Sequence, residues 1–210
     1  MSGRSERQWN DSNTRSFVVM SSDELILWGD GTSRTFRCVW MLEELKVPFT
    51  WKKIRYQDGE TRTPEFLAVN PRGKVPALTD GGVSIAESAA INTYLGDKFG
   101  SPLVPRAGTR ERGLYDMWCF FLISECDSSL VIWGRHHYYE AKNGAAPAAL
   151  AAAKEYFRRQ MKVVADELGK NEYLMGPEFT AADILLVTII RWCGVCILMV
   201  LDTKRNDFVC

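Results

Sequence analysis

The chain has 210 residues, with 26 basic and 26 acidic side chains, so its formal net charge is zero. This balance gives no support to a nucleic-acid or anionic-membrane partner. Hydrophobic residues make up 46% of the chain, which is ordinary for a globular protein with a buried core. The six cysteines are irregularly spaced in a chain too long to need disulfides, so we interpret them as reduced thiols in a cytoplasmic protein.

The first 24 residues are polar and contain one apolar patch of four residues, Phe17 to Met20. That patch is too short for the core of a signal peptide. Acidic side chains in the segment argue against a transit peptide. We therefore predict a disordered tail over residues 1–24.

Residues 25–103 predict strands and helices in the order strand, helix, strand, loop, hairpin, helix. The strands are expected near residues 25–28, 49–54, 75–79 and 82–85. One helix is expected between the loop Gly31–Thr35 and Pro48, and a second from Glu87-Ser88 to about residue 99. The hairpin turns at Gly81-Gly82. This order predicts a small mixed α/β sheet with helices on its faces.

Residues 109–210 give helical patterns throughout. Two apolar stripes predict long helices, one with Leu114, Met117, Trp118 and Phe121 and the other with Leu150, Ala153, Phe157, Met161, Val164 and Leu168. Thr180 and Asp183 form a capping pattern before a run to Leu201 that is apolar on all sides, which predicts a buried helix. The longest uncharged part of this run is far below the roughly 18 residues of a membrane span, so no span is expected.

The segment 72–88 is the most informative part of the chain. Pro76 cannot donate a backbone hydrogen bond, and a cis peptide before it would turn the neighbouring backbone outward to meet a ligand. Glu87-Ser88 opens a helix and offers acceptors, a hydroxyl and free N–H groups at one place. This combination suits an amino-acid-like ligand that carries both an ammonium and a carboxylate.

Three motifs in sequence order resemble the cytosolic glutathione transferase family. They are the strand–loop–helix of residues 25–46, the segment from Asn70 through Glu87-Ser88, and the capped helix of Phe179 to Ile190. The resemblance implies a thioredoxin-like glutathione-binding domain over 25–103 and an all-helical domain over 109–210, usually assembled as a homodimer. Family members usually continue through further helices after the buried one, so we expect a helical domain shortened at its C-terminus.

Glutathione conjugation needs a thiolate, and a free thiol titrates at about 8.5. A hydrogen-bond donor and a helix N-terminus near the sulfur favour the anion. Ser33 is four residues before Arg37, a spacing that resembles the serine-type (theta, phi and bacterial) classes. The resemblance therefore implies Ser33 as the catalytic donor, with Thr32 and Thr35 as alternatives. These hydroxyls could instead serve only to cap the helix.

The resemblance also implies the rest of the glutathione site. Glu87 and Ser88 are expected to hold the γ-glutamyl group, and the backbone of Val75 to pair with the cysteinyl part, with Pro76 shaping the turn. Lys74 and Arg62 are expected to meet the glycine carboxylate, although each also fits a solvated loop residue.

Aromatic residues of the helical half could line an electrophile pocket, but they suit a helical core equally well. The candidates are Trp118, Phe121, Trp133, His136 and Tyr138. No metal site is expected, because His136 and His137 point apart on a helix and lack an acidic or cysteine partner at ligand spacing. Cys193 and Cys196 have redox-motif spacing but lie inside a helix, and Cys38 lies beyond the helix start. A cysteine-type enzyme is therefore disfavoured.

We interpret the chain as a glutathione transferase that uses glutathione as co-substrate and acts on small apolar electrophiles in detoxification. Two alternatives remain open. One is another glutathione-dependent enzyme, such as a dehalogenase, peroxidase or isomerase. The other is a non-catalytic scaffold or ligand carrier.

Overall fold

The computed structural model describes residues 24–31, 34–134 and 146–201, with side chains in the last helix described as far as residue 194. The N-terminal half contains four strands: β1 (Ile26–Trp28), β2 (Thr50–Lys52), β3 (Ala77–Asp80) and β4 (Val83–Ala86). The sheet order is β2-β1-β3-β4, with β1 and β2 parallel and the other pairs antiparallel. The predicted mixed sheet and its Gly81-Gly82 hairpin are confirmed.

Helices α1 (Thr35–Leu45) and α3 (Ser88–Phe99) pack together beside this sheet. A short helix, α2 (Pro64–Val69), and a 3₁₀ turn at Glu60–Arg62 occupy the predicted loop region between β2 and β3. The core between sheet and helices is fully buried and includes Leu27, Leu42 and Ile91. Burial of this apolar surface is the main stabilising contribution to the half that carries residues 70–88.

The described part of the C-terminal half is built from helices, apart from connections such as residues 169–180, which contain one isolated β-bridge between Tyr173 and Gly176. Helix α4 (Arg110–Phe121) continues through one π-helical turn (Leu122–Asp127) into α5 (Ser128–Gly134), followed by α6 (Pro147–Leu168) and α7 (Ala181–Leu201). Helix α7 packs on both α1 and α3, and one continuous apolar core joins the two halves. This packing places the π turn and α7 beside the N-terminus of α1.

The start of α7 is fixed by a buried carboxylate. Asp183 accepts hydrogen bonds from the backbone N–H and the hydroxyl of Thr180, at 2.8 and 2.9 Å, and from the N–H of Leu174 at 2.9 Å. The expected capping pattern is therefore present in one half only, because the Thr180 hydroxyl donates to Asp183 instead of accepting a helix N–H.

Two apolar patterns are only partly buried. In the stripe of α4, Leu114 and Met117 are 53% and 51% exposed, whereas Trp118 is buried. On α7, Val187 and Ile190 are 43% and 46% exposed, although the run was expected to be buried on all sides. Apolar composition predicted burial on every face of α7, whereas the side chains described as far as residue 194 are covered where the helix contacts α1, α3, α4 and the π turn.

Among the described residues, the helical stretch Arg110–Gly134 is long and apolar enough, by length and composition alone, to cross a membrane. A core helix of a helical domain meets the same criterion, and 44% of the apolar window is buried inside the fold. The stretch also contains Asp127, which is buried and ion-paired within the protein. Packing within the fold therefore accounts for part of its apolar character.

Candidate functional site

A cleft of about 210 Å³ opens between the two halves of the fold. One wall comes from the loop before β3 and from the start of α3, and the other from the π turn and α5. The lining residues are Arg34, Asn70, Arg72, Lys74, Val75, Pro76, Ala86, Glu87, Ser88, Ile123, Asp127, Ser128 and Val131. Five of the seven predicted site residues are in this set, so the structure brings them together.

The loop before β3 is shaped by a cis peptide bond and a buried amide. The Val75-Pro76 peptide is cis, as expected. The Asn70 side chain donates to the carbonyl of Lys74 at 2.6 Å and accepts from the N–H of Arg72 at 3.2 Å. These bonds hold the loop in one conformation, and Val75 then lies at the cleft outside the sheet ladder, because β3 begins only at Ala77.

Glu87 marks the opposite end of the same wall. It is the residue before α3 and has φ of 73°, a left-handed value that costs a non-glycine residue free energy. Its half-exposed carboxylate accepts from Arg72 at 2.6 Å. Strain of this kind persists where the surrounding structure enforces it, and it is frequent at ligand sites.

Ser88 is buried at the first position of α3, and its hydroxyl accepts a hydrogen bond from Arg37 Nη1 at 3.2 Å. Arg37 is 2% exposed and also donates to Thr188 at 2.8 Å and to Asp127 at 3.1 Å. Burial lowers the pKa of Arg37, and the nearby Asp127 carboxylate opposes that shift. One guanidinium thus connects α1, the start of α3, the π turn and α7.

Asp127 also forms an ion pair with a second arginine, Arg34. Its other oxygen accepts from Arg34 Nε at 2.6 Å, so the carboxylate lies between two guanidinium groups. The π turn places Asp127 toward α1, although the residue lies within an otherwise apolar helical run. Single π turns inside helices are frequent at functional sites.

The structure does not describe every predicted activating group. Ser33 and the alternative Thr32 lie outside the described residues. Thr35 is fully buried, does not line the cleft, and packs so closely on Gly29 that a Cβ there would be 2.2 Å from its hydroxyl oxygen. The Thr35 hydroxyl is therefore turned into the protein.

The cleft is lined by five of the residues predicted to bind glutathione: Lys74, Val75, Pro76, Glu87 and Ser88. The sixth, Arg62, does not line the cleft. Its guanidinium instead packs over Gly73, where a Cβ would be 2.8 Å from Arg62 Nη1. Arg62 thus lies behind the loop that carries Lys74, in a position that supports the loop.

The aromatic candidates for the second substrate are spread through the helical core. Trp118 is buried and packs edge-on against Phe121 at 5.7 Å, and Trp133 is half-buried. None of these three lines the cleft, whose helical wall is formed by Ile123, Ser128 and Val131. His136 and Tyr138 lie outside the described residues.

The described cysteines are poorly suited to thiol chemistry. Burial raises the pKa of Cys38 far above its usual range and raises those of Cys119 and Cys126 to about 12. Cys193 lies within α7, away from any helix N-terminus. Among the described residues, no group of three or more metal-binding side chains occurs, and His136 and His137 are not among those residues.

Four residues that build the site were not singled out from sequence as site residues: Arg34, Arg37, Asn70 and Asp127. Asn70 had a local signal, since it begins an Asn-Pro-Arg-Gly turn. Asp127 had a weaker sequence signal, because it is an acidic residue within an otherwise apolar helical run. Arg34 carried no signal, and Arg37 entered only through its spacing from Ser33, because the roles of both arginines come from contacts with residues far away in sequence.

Comparison with known proteins identifies two family models in order along the chain. The model for the glutathione S-transferase N-terminal domain matches residues 33–98, and the model for the C-terminal domain matches residues 123–206. Together they cover both halves of the fold and both walls of the cleft.

Glutathione S-transferase 3 of Schizosaccharomyces pombe is 35% identical over 167 residues, covering 72% of this chain and 66% of the relative. Disulfide-bond oxidoreductase YfcG of Escherichia coli is 32% identical over 154 residues, covering 68% of each. The chain thus spans about two thirds of the length of these relatives.

A similar solved structure is glutathione transferase URE2P6 from Phanerochaete chrysosporium in complex with oxidized glutathione. It has a TM-score of 0.74 and 26% identity, and the match covers 82% of this chain and 79% of that one. The expected fold, a thioredoxin-like N-terminal domain followed by a helical domain, is confirmed by this similarity together with the observed sheet.

Proposed function

Because the chain belongs to the glutathione S-transferase family, we propose that its cleft binds glutathione and directs the glutathione thiolate at a small apolar electrophile. The observation that carries this proposal is that Val75 and Pro76 line the same wall of the cleft as Glu87 and Ser88. That wall offers backbone groups, a carboxylate and a helix N-terminus to one extended ligand. Cytoplasmic localisation, the disordered tail and the two domain boundaries remain predictions alongside it.

Each part of glutathione has a matching group on this wall. The Glu87 carboxylate suits the γ-glutamyl ammonium, and the start of α3 at Ser88 suits its carboxylate. The backbone of Val75 suits strand-like pairing with the cysteinyl part. Lys74 lines the cleft and suits the glycine carboxylate, whereas Arg62 supports the loop from behind.

Ser33 is proposed to hydrogen-bond the glutathione sulfur, as in serine-type members of the family. In the sequence Ser33 is two residues before Thr35, the first residue of α1, and a helix N-terminus also favours an anion. Each unit of thiol pKa depression corresponds to about 1.4 kcal/mol of stabilisation of the thiolate over the thiol. The serine does not attack; it increases the fraction of glutathione that is a nucleophile.

The test is an ultraviolet thiolate titration of glutathione bound to the wild-type protein and to Ser33→Ala. We expect the bound thiol of the wild type to titrate well below 8.5, and the serine variant to bind glutathione with similar affinity but a less depressed pKa. An unshifted pKa in the wild type, or no binding, would favour the scaffold or carrier alternative. Equal conjugation rates in the two proteins would reject Ser33 as the donor.

Disulfide reduction by glutathione is a second candidate, favoured by the similarity to the E. coli protein named as a disulfide-bond oxidoreductase. In that reaction two glutathione thiols are oxidised to one disulfide while a substrate disulfide is reduced to two thiols. Among the described cysteines, Cys38 within α1 and Cys126 within the π turn are buried and have raised pKa values, so glutathione itself would supply the thiolate. Parallel assays with a model disulfide and with an aryl halide distinguish disulfide reduction from conjugation. Substrates of dehalogenases, peroxidases and isomerases can be assayed in the same way to test those alternatives.

A homodimer is the proposed assembly. Helix α4 exposes Leu114, Met117 and Phe120 on one side, with 53%, 51% and 74% of their surfaces accessible. Exposed apolar side chains grouped on one helix commonly mark an interaction surface. A second copy of this chain is the proposed occupant of that surface.

A further inference from the structure

Arg34 lines the cleft and contacts its helical wall through Asp127, yet neither thiolate activation by Ser33 nor the glutathione contacts above make use of it. It is the residue that precedes α1, and it lines the cleft together with Glu87 on one side and Ser128 on the other. Its side chain makes no capping bond to α1. The guanidinium is therefore directed away from its own helix and toward the helical wall.

Two contacts fix the orientation of this guanidinium. Nε donates to Asp127 at 2.6 Å, and the guanidinium carbon lies 5.1 Å from the centre of the Trp192 ring. The Nη2 atom is buried but has no hydrogen-bond partner among the described residues. A buried guanidinium donor without an acceptor is costly, so this atom is suited to meet an oxygen that a ligand supplies.

The charge around Arg34 indicates whether the ligand oxygen that it binds is neutral or anionic. Arg34 and Arg37 share one carboxylate, Asp127, which leaves this cluster with one positive charge in excess. The other hydrogen bonds of Arg37 go to the neutral hydroxyls of Thr188 and Ser88. A partly desolvated cluster with excess positive charge favours an anionic ligand group.

The position of Arg34 points to the electrophile and not to glutathione. Its partner Asp127 belongs to the helical wall, next to Ser128. The opposite wall already offers Lys74 to a carboxylate of glutathione. The apolar side chains Ile123 and Val131 beside Arg34 suit the body of a second substrate.

We propose that Arg34 selects electrophiles that combine an apolar body with an anionic group, a carboxylate in the simplest case, and that its free Nη2 binds that group. This inference rests on the proposed conjugation activity and narrows its substrate class. A planar guanidinium is well suited to a carboxylate, because it can present two N–H groups in parallel.

The test compares 4-chloro-3,5-dinitrobenzoate with its uncharged methyl ester as electrophiles. In both, the glutathione sulfur bonds to the ring carbon that carries chlorine, the carbon–chlorine bond breaks, and chloride leaves with the electron pair; the thiol proton goes to solvent. Each kcat/KM is divided by the uncatalysed rate constant with glutathione, which removes the difference in intrinsic reactivity. We expect the wild type to favour the carboxylate.

Arg34→Gln should lower the carboxylate-to-ester ratio by about 10- to 100-fold, the effect of losing one charged hydrogen bond. Arg55→Gln, which removes an exposed arginine outside the cleft, should leave the ratio unchanged. Ser128→Asp keeps Arg34 but adds a carboxylate to the helical wall of the same cleft, and should also lower the ratio. If Arg34→Gln reduced both rates equally, the arginine would act on glutathione or on the fold, and the proposal would be overturned.

A measurement of ligand binding tests the role of Arg34 independently of the proposed conjugation activity. Calorimetry with S-(4-carboxybenzyl)glutathione and S-benzylglutathione reports the same preference without any reaction. Tighter binding of the carboxylate, lost in Arg34→Gln, supports the inference even if neither electrophile is turned over. Equal binding of both ligands overturns the inference while leaving glutathione binding intact, and binding of neither overturns both.

Discussion

At the scale of single residues, Glu87 shows how the site is built at a cost to stability. Its φ of 73° is unfavourable for any residue with a Cβ, and its exposed ion pair with Arg72 offsets little of that cost. Glycine would take this conformation freely. A glutamate at this position is explained if its carboxylate is needed by a ligand.

Replacing Glu87 by glycine and by alanine separates backbone strain from the loss of the carboxylate. Both variants should lose glutathione affinity, since both remove the proposed partner of the γ-glutamyl ammonium. Glu87→Gly should be more stable than Glu87→Ala by about 1 kcal/mol, because only glycine relieves the left-handed conformation. Urea unfolding and glutathione calorimetry measure the two effects, and equal stabilities would show that the backbone at Glu87 is not strained in solution.

At the scale of elements, the features with local causes were predictable. The β3–β4 hairpin follows from the Gly81-Gly82 turn, and the cis peptide could be inferred from a proline placed before a strand beside a ligand-like motif. The π turn at Leu122–Asp127 was not predicted, because its residues fit a continuous α-helix equally well. Its presence depends on the contacts of Asp127 with arginines that lie 90 and 93 residues away in sequence.

The start of α7 offers a test of element stability. Asp183 is 4% exposed, and its carboxylate satisfies the N–H groups of Leu174 and Thr180. Asp183→Ala leaves both buried donors without an acceptor and should lower the free energy of unfolding by about 3 kcal/mol. The control is Asp166→Ala, which removes an exposed carboxylate paired with Lys162 on α6 and should change stability by less than about 0.5 kcal/mol.

Urea unfolding of these two variants and the wild type measures the difference. Similar midpoints for Asp183→Ala and Asp166→Ala would show that water or a shifted backbone replaces the Asp183 bonds. A large loss confined to Asp183→Ala would show that the cap of α7 stabilises the packing of both halves, since α7 contacts α1 and α3.

At the scale of the whole molecule, the glutathione wall and the helical wall differ in how far sequence could predict them. Five of the seven predicted site residues line the cleft, because Lys74 to Pro76 and Glu87-Ser88 lie in one short segment with strong local signals. The helical wall depends on Arg34, Arg37 and Asp127, whose contacts span 90 to 151 residues. Such contacts exist only after α7 and the π turn have packed on α1, so no local pattern indicates them.

The assembly is testable at this same scale. If α4 forms the contact between two copies, Phe120→Asp would place a carboxylate in an apolar interface and should convert the dimer to a monomer, because burying an unpaired charge costs several kcal/mol. Phe120 is 74% exposed in the single chain, so the substitution should leave the folded monomer intact. Val163→Asp, at a 48% exposed position on α6, adds the same charge outside the surface formed by α4.

Sedimentation velocity at micromolar concentrations distinguishes the outcomes. We expect the wild type and Val163→Asp to sediment as dimers and Phe120→Asp as a monomer with an unchanged far-ultraviolet spectrum. A monomeric wild type would reject the homodimer, and a dimeric Phe120→Asp would show that the contact lies elsewhere. Because the cleft lies between the two halves of one chain, we expect the Phe120→Asp monomer to retain glutathione binding, which calorimetry on the same sample measures.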